Sequence, residues 1–415
     1  MNRKSAIVIG AGIVGLSTAF ALSEDGIAVT LVDRDPAGDK ASFGNAAGIA
    51  VTEVVPASVP GLAWKVPGWL LDPLGPLAVR PAHLLNLLPW LWRFARAGQH
   101  SEVERIGTAL AALNARVYDD LLPMLGAIGC AGEIHRKGAL TVYETEVGFQ
   151  RDADEWAFKR KHGIEVKMLA ADEARALEPA LGPIVARGVL TPQWSHINDP
   201  KLLVDRLRIW LAANRGVTIV TGEVSRLFID NGRPWVALNN QKKLSADCAV
   251  VAAGAWSGAL AQALGDRVLL ESERGYNTTL PSPGVKLERE VIFAERKFVA
   301  TPLSIGLRIG GAAEFGGLDA KANFKRSEAL VTLASRYLPN LSSGGGIAWA
   351  GHRPATPDSL PVIGPSPRNG NIFYAFGHGH LGLTQSATTG KLIADLVAGR
   401  APPIDLAPYS ISRFN

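Results

Sequence analysis

Three glycines at fixed offsets, Gly10, Gly12 and Gly15, stand between a strand pattern and a helix pattern at the start of the chain. The preceding run, Ser5-Ala6-Ile7-Val8-Ile9, is continuously apolar and rich in β-branched residues, as the centre of a parallel sheet requires. After the turn, Leu16, Ala19, Phe20 and Ala21 recur at helical spacing up to Asp25, and Gly26 stands where a C-terminal cap belongs. A second strand, Ala28 to Val32, ends in Asp33, 18 residues beyond Gly15. Each part has a physical task at a dinucleotide. Gly10 permits the turn, Gly12 removes the side chain that would block a pyrophosphate, and Gly15 lets helix and strand pack closely. Amides at the helix start, where Ile13 and Val14 stand, face the phosphate charge. The Asp33 carboxylate accepts from a ribose hydroxyl. Glycine also serves ligand-free corners, so it is strand, helix and Asp33 together that predict a dinucleotide site. The turn alone does not choose between FAD and NAD.

At 415 residues the chain is long enough for two domains, and 47% hydrophobic with 20% charged residues is the balance of a globular protein. The net charge of +5 is modest and its densest basic run, Lys159-Arg160-Lys161-His162, lacks interleaved aromatics, so a nucleic-acid partner is not expected. Cys130 and Cys248 are far apart and belong to no Cys/His cluster. Neither a disulfide framework nor a metal site is indicated, and a reducing, cytoplasmic setting fits best. Arg3-Lys4 and the apolar stretch Ala6 to Leu22 imitate a secretory signal, but a signal has no use for glycines at these offsets. No other stretch reaches the ~18 apolar residues of a membrane span.

Prolines and tryptophans dominate from Pro56 to Leu88, helical periodicity runs from Val103 to Ile128, and a β-rich stretch surrounds Gly138 to Tyr143. Nucleotide-domain character returns after Trp194, with a helix Pro200 to Asn214 and strands Val217 to Val220 and Cys248 to Ala252. Alternation from Arg289 to Ala313 predicts a hairpin or larger antiparallel sheet. The last segment, Trp349 to Leu396, holds a strand at Ile372 to Phe376 and a helix from about Ser386 to Val397. The segment Trp64 to Arg96, with Trp69, Leu84, Leu85, Leu87, Leu88, Trp90, Leu91 and Trp92 between basic flanks, packs between domains or lies on the inner face of a membrane.

Five segments in fixed order carry a family resemblance: Ile7 to Gly15, Ala41-Ser42-Phe43-Gly44-Asn45-Ala46-Ala47-Gly48, Val251-Ala252-Ala253-Gly254-Ala255-Trp256, Trp349-Ala350-Gly351-His352-Arg353-Pro354, and Gly377-His378-Gly379-His380-Leu381-Gly382-Leu383-Thr384. The chain resembles the D-amino-acid oxidase superfamily of flavoproteins, and within it the D-amino-acid dehydrogenases, with glycine and sarcosine oxidases more distant. The resemblance implies an α/β and α+β fold. A Rossmann-like FAD-binding domain (residues 1–55, 193–272 and 346–415) carries an inserted antiparallel-sheet substrate domain (56–192 and 273–345). It implies Asp33 and Arg34 at the adenosine ribose, the Val224 backbone at adenine, and Ala253, Gly254 and Trp256 near the pyrophosphate. It implies Ser42, Asn45, Ala46 and Ala47 along the ribityl chain and flavin. His378, Gly379, His380, Leu381, Gly382, Leu383 and Thr384 would approach the pyrimidine edge.

Arg353 is the implied carboxylate anchor, since a guanidinium fork binds a carboxylate through two parallel hydrogen bonds. Tyr276 is expected at the pocket wall, its hydroxyl on the carboxylate or a water. Phe293 and Phe298 replace two tyrosines of glycine-oxidase-like relatives, which predicts a more apolar pocket and a larger or cyclic substrate. His352 and His380 flank these positions, where imidazole donates to flavin or to a substrate hydroxyl. The expected activity is hydride transfer from Cα of a D-amino acid, with D-proline or hydroxy-D-proline favoured, and a quinone or oxygen as the electron acceptor. Three alternatives stand beside it: an oxidase of glycine, sarcosine or another secondary amine, a flavin subunit of a larger electron-transfer complex, and an NAD-dependent dehydrogenase.

Overall fold

The computed structural model describes residues 3–72 and 75–415. Its six-stranded sheet runs in the order Thr218–Thr221, Ala28–Asp33, Ser5–Ile9, Cys248–Val251, Ile372–Phe376, Val362–Pro365. The first five are parallel and the last, an edge strand, is antiparallel. Alternation along Ser5–Ile9 sends Ala6 and Val8 into one core and Ile7 and Ile9 into another, so the strand is buried on both faces. Helices Ile13–Glu24, Pro200–Arg215 and Gly382–Ala398 cover the first face. The three-stranded sheet Val224–Asp230, Arg233–Leu238 and Lys243–Ser245 covers the second.

A nine-stranded sheet stands beside it. Its path begins at Ile347–Ala355 and continues through Glu271–Leu280, Gly306–Phe315, Phe298–Leu303 and Glu290–Phe293 to Ala139–Tyr143, Arg187–Thr191 and Lys167–Ala170, and the ninth strand, Leu77–Val79, pairs with Gly306–Phe315 off this path. Most neighbours are antiparallel, and the alternation from Arg289 to Ala313 resolves into three of these strands. Ile347–Ala355, grouped by the sequence with the cofactor-binding part, is the edge strand of this larger sheet. Helix Lys325–Tyr337 packs on one face over Tyr276, Phe293 and Phe298. The other face carries Asn277, which donates to the Gly44 carbonyl, and Arg308, which donates to the Phe43 and Asn45 carbonyls.

The helical periodicity from Val103 to Ile128 is carried by two helices, His100–Asn114 and Val117–Ala127. Ile106, Leu110, Leu113, Val117, Leu121 and Met124 are all buried, so the apolar spacing runs unbroken across the join and hides it from periodicity.

Candidate active site

The turn at Gly10 has the geometry its spacing demands. Gly10 has φ +111°, and a Cβ there would lie 2.3 Å from the Ala252 carbonyl oxygen. A Cβ on Gly15 would lie 1.9 Å from the Gly10 carbonyl oxygen, so helix and turn touch backbone to backbone. Gly12 is different. Its nearest neighbour in that direction is Ser42 Oγ at 3.7 Å, and beyond lies open cavity. The Ala11 amide donates to Asp33 Oδ2 at 2.7 Å and the Ile13 amide to Ser42 Oγ at 3.1 Å, while the remaining amides of the first helical turn have no intrahelical acceptor.

The cavity in front of the turn measures about 2360 Å³, beyond the ~300–1,000 Å³ of a small-molecule pocket. Its wall includes Asp33 and Arg34, then Ser42, Asn45 and Ala46, then Val224 and, just past the end of the strand Cys248–Val251, Ala253 and Gly254. Gly379, His380, Leu381, Gly382 and Leu383 close the far side. Trp256 stands at the rim under the Arg34 guanidinium, 4.1 Å from its ring centroid. A glycine cradle with free amides, an acidic residue at the adjacent strand end and a long continuous cavity fit FAD as a bound group.

Arg353 lies on the cavity wall in the edge strand Ile347–Ala355, directly opposite Glu273 in the neighbouring strand. Its Nη1 donates to Glu273 Oε1 at 2.9 Å and to the Ala312 carbonyl at 3.3 Å. Ala312 is the extra residue of a β-bulge and has φ +51°, a left-handed conformation uncommon for a residue with a Cβ. Gly275 makes room for the fork, because a Cβ there would meet the Arg353 Cζ at 2.3 Å. Among the described residues Nε and Nη2 of Arg353 have no hydrogen-bond acceptor. One edge of the fork is thus held by protein and the other is free for a ligand carboxylate.

The family described as FAD dependent oxidoreductase matches residues 5–396. The chain belongs to that family. It is 36% identical over 414 residues to the D-amino-acid oxidase of Bradyrhizobium diazoefficiens, covering 98% of both chains. It is 34% identical over 426 residues to D-amino acid dehydrogenase 2 of Ralstonia nicotianae, covering 98% of this chain and 99% of that one. Among solved structures, glycine oxidase from Geobacillus kaustophilus superposes with a TM-score of 0.74 at 22% identity, covering 100% of this chain and 99% of the other. L-proline dehydrogenase from P. horikoshii also gives 0.74, at 18% identity, covering 99% of this chain and 98% of the other. These two likenesses describe the fold.

In this FAD-dependent oxidoreductase several expected side chains sit elsewhere. Tyr276 is 1% exposed, donates to Glu314 Oε2 at 2.8 Å and accepts from the Asn323 amide at 3.0 Å. Tyr276 borders the cavity as expected, but strand alternation turns its ring into the core under helix Lys325–Tyr337, on the face opposite Glu273 and Arg353, so its hydroxyl serves Glu314 and Asn323 rather than a substrate carboxylate or a water. Phe293 and Phe298, 0% and 1% exposed, stack on each other at 4.3 Å in the same core, and both border the cavity. His352 is turned away from Arg353 as well. Its Nδ1 shares a hydrogen bond of 2.6 Å with Ser272 Oγ, and its ring meets Trp256 edge-on. Burial, with Arg274 and Arg34 nearby, pushes its imidazole down to about 4.

The remaining corrections are positional. His378 borders the cavity as expected, with its buried ring turned inward so that Nε2 bonds Thr389 Oγ1 of the final helix at 2.9 Å. Burial pushes this imidazole down to about 3, so it stays neutral. Gly15, Ala47 and Thr384 lie behind the wall rather than on it. Thr384 Oγ1 accepts from the Ala50 amide at 3.0 Å, tying the Ala41–Gly48 loop's exit to the helix Gly382–Ala398.

Two carboxylates were missed from sequence. Glu273 is buried between Arg353 and His380, whose Nε2 is 3.4 Å from Glu273 Oε1. Burial disfavours its charge, but His380 and Arg353 outweigh that and hold the carboxyl down at about 2. Glu290 is 2% exposed and accepts from Trp194 Nε1 at 3.1 Å. Burial pushes it up to about 8, opposed by that hydrogen bond and reinforced by Glu53. Among the described residues no group of three or more His, Cys, Asp or Glu could hold a metal ion.

Proposed function

We propose that the enzyme removes a hydride from Cα of a D-amino acid, leaving an imino acid that hydrolyses in water. The observation that carries this is the half-held guanidinium of Arg353, with a free donor edge on the wall of the cofactor cavity. Bound FAD supplies the two-electron acceptor. The chain itself binds and orients. Arg353 holds the carboxylate, and the bulge at Ala312 and the space at Gly275 hold Arg353. The D configuration is supported by the full-length relatives named for D-amino acids. A proline or hydroxyproline substrate is supported by Phe293 and Phe298 at the border of the cavity and by His380, whose exposed imidazole beside Glu273 can donate to or accept from a substrate hydroxyl.

The electron acceptor in this reading is a membrane quinone. Helix Leu84–Ala97 buries Leu87 and Trp90 but exposes Leu85 by 78% and Trp92 by 57%, with Arg93 and Arg96 over the Trp92 ring. An apolar strip rimmed by arginine suits the surface of an anionic bilayer. Residues 73 and 74 of the preceding segment lie outside the described residues, as does the Trp64 side chain. No helix among the described residues is long and apolar enough to cross a membrane.

The test is a screen of D- and L-amino acids with a quinone analogue and with oxygen, run with and without anionic vesicles, on wild type and Arg353→Met. Oxidation of D-amino acids is expected, with kcat/KM lower by about 100-fold or more in the variant, as loss of a charged hydrogen-bonded partner costs roughly 2–5 kcal/mol. An Arg353→Met enzyme within a few-fold of wild type removes the carboxylate assignment.

A further inference from the structure

We infer that Glu273 reads the substrate's amino group, so that Arg353 and Glu273 together form a site for a zwitterion and reject simple carboxylates. The inference rests on the amino-acid reading of the site and extends it to a residue that selects among ligands.

The geometry is a matched pair of open groups. Glu273 spends Oε1 on Arg353 Nη1 and His380 Nε2, while Oε2 accepts no hydrogen bond among the described residues. The side chain keeps 11% of its surface and lines the cavity. Beside it, Arg353 keeps 24% of its side-chain surface and leaves Nε and Nη2 free. The two are cross-strand neighbours, a placement that brings side chains within ~5 Å at Cβ. A free donor edge next to a free acceptor is complementary to a carboxylate and an amine borne on one carbon. The amine donates to Oε2 whether or not it carries its extra proton.

Charge makes the same selection. A lone guanidinium attracts any carboxylate, but the Glu273 carboxylate offsets the charge of the guanidinium paired with it and weakens that attraction, with His380 at 3.4 Å sharing the same Oε1. A simple carboxylic acid anion then brings an uncompensated negative charge beside Glu273. A zwitterion brings none, and its positive end faces Oε2. Glu273 is therefore the repulsive element that specificity between similar ligands requires. A role confined to holding Arg353 predicts something different, because loss of that hold alters the binding of every carboxylate in one direction.

The experiment compares two isosteric pairs on the FAD-loaded enzyme: D-proline with cyclopentanecarboxylate, and D-alanine with isobutyrate. Dissociation constants come from changes in flavin absorbance under anaerobic conditions or, where the flavin is reduced, from the concentration dependence of its reduction. In Glu273→Gln, which keeps the size of the side chain and its acceptor for Arg353, the amino acids are expected to bind about ten-fold more weakly and the carboxylates several-fold more tightly. In Glu273→Asp, which keeps the charge, the preference for the amino acid over its carboxylate analogue is expected to stay closer to wild type. Movement of both ligand classes in one direction, or no movement of either, overturns the inference. Should Glu273→Gln not fold, loss of the preference in Glu273→Asp overturns it as well. A wild-type enzyme whose flavin is reduced by no amino acid instead overturns the substrate reading, and this is visible before any variant is made.

Discussion

The two faces of the nine-stranded sheet differ by a single residue of register and by everything in chemistry. One face carries Arg353, Glu273 and Asn277 on the wall of the cofactor cavity, with Gly275 beneath the Arg353 fork. The other, with His352, Arg274, Tyr276 and, further along, Phe293 and Phe298, turns its side chains toward other parts of the fold or under helix Lys325–Tyr337, although all of these but Arg274 also border the cavity. Tyr276 is one residue from Gly275 and His352 one residue from Arg353, yet each lies on the opposite side from its neighbour. Proximity in a motif therefore says little about proximity to a ligand unless the period of two is applied first.

This contrast can be broken from either side. The largest effect is expected from Tyr276→Phe on the core-facing side: the Asn323 amide and Glu314 lose a buried partner, at a cost of about 1–3 kcal/mol of stability. Chemical denaturation should register the loss while kcat/KM of the folded enzyme stays within two-fold. A large fall in kcat/KM at full flavin content would return Tyr276 to the active site. Next in size is Gly275→Ala on the open face, where the added methyl group displaces the Arg353 fork. KM for the amino acid should rise by about ten-fold, equivalent to ~1.4 kcal/mol, with little change in kcat. An unchanged KM would mean that the observed pose of Arg353 is not the binding pose.

The smallest effect is a slope. Glu290, raised to about 8 by burial, prefers to be neutral in the folded state and ionises at ordinary carboxyl values when unfolded. Between those values the native state holds the extra proton, so stability is fully present below the unfolded value and falls as pH rises through about 8. Glu290→Gln removes this proton and keeps an acceptor for Trp194 Nε1. Melting temperatures measured from pH 5 to pH 9 (an interval set by the ordinary and shifted values) should decline less steeply in the variant. Parallel profiles would show that Glu290 is not buried as described.

The cofactor half of the molecule was legible because backbone does the work there. Gly10, Gly12 and Gly15 are read by what they lack, and absence of a side chain has the same meaning before and after folding. The Gly-His-Arg-Pro segment located Arg353 in the same way, through a resemblance anchored on flanking residues. The partner of Arg353 was not legible. Glu273 lies 80 residues away in sequence and joins Arg353 only through strand pairing, which no local pattern specifies. The signal that would have found it is modest: Glu273, Gly275 and Asn277 alternate with Arg274, Tyr276 and Thr278, so placing the glycine on the ligand face moves Glu273 there and removes Tyr276. Glu290 offered no signal, since an isolated glutamate before Val-Ile-Phe reads as a strand's solvated start.

The contact between helices Ile13–Glu24 and Gly382–Ala398 has a consequence for biogenesis. Leu16 and Ala19 share one core with Leu383, Ala387 and Ile393, and the Thr384 hydroxyl steadies the exit of the loop that faces the cavity. The nucleotide turn leaves the ribosome long before the helix that braces it. A chain cut ahead of Gly382 keeps its glycines and loses their brace.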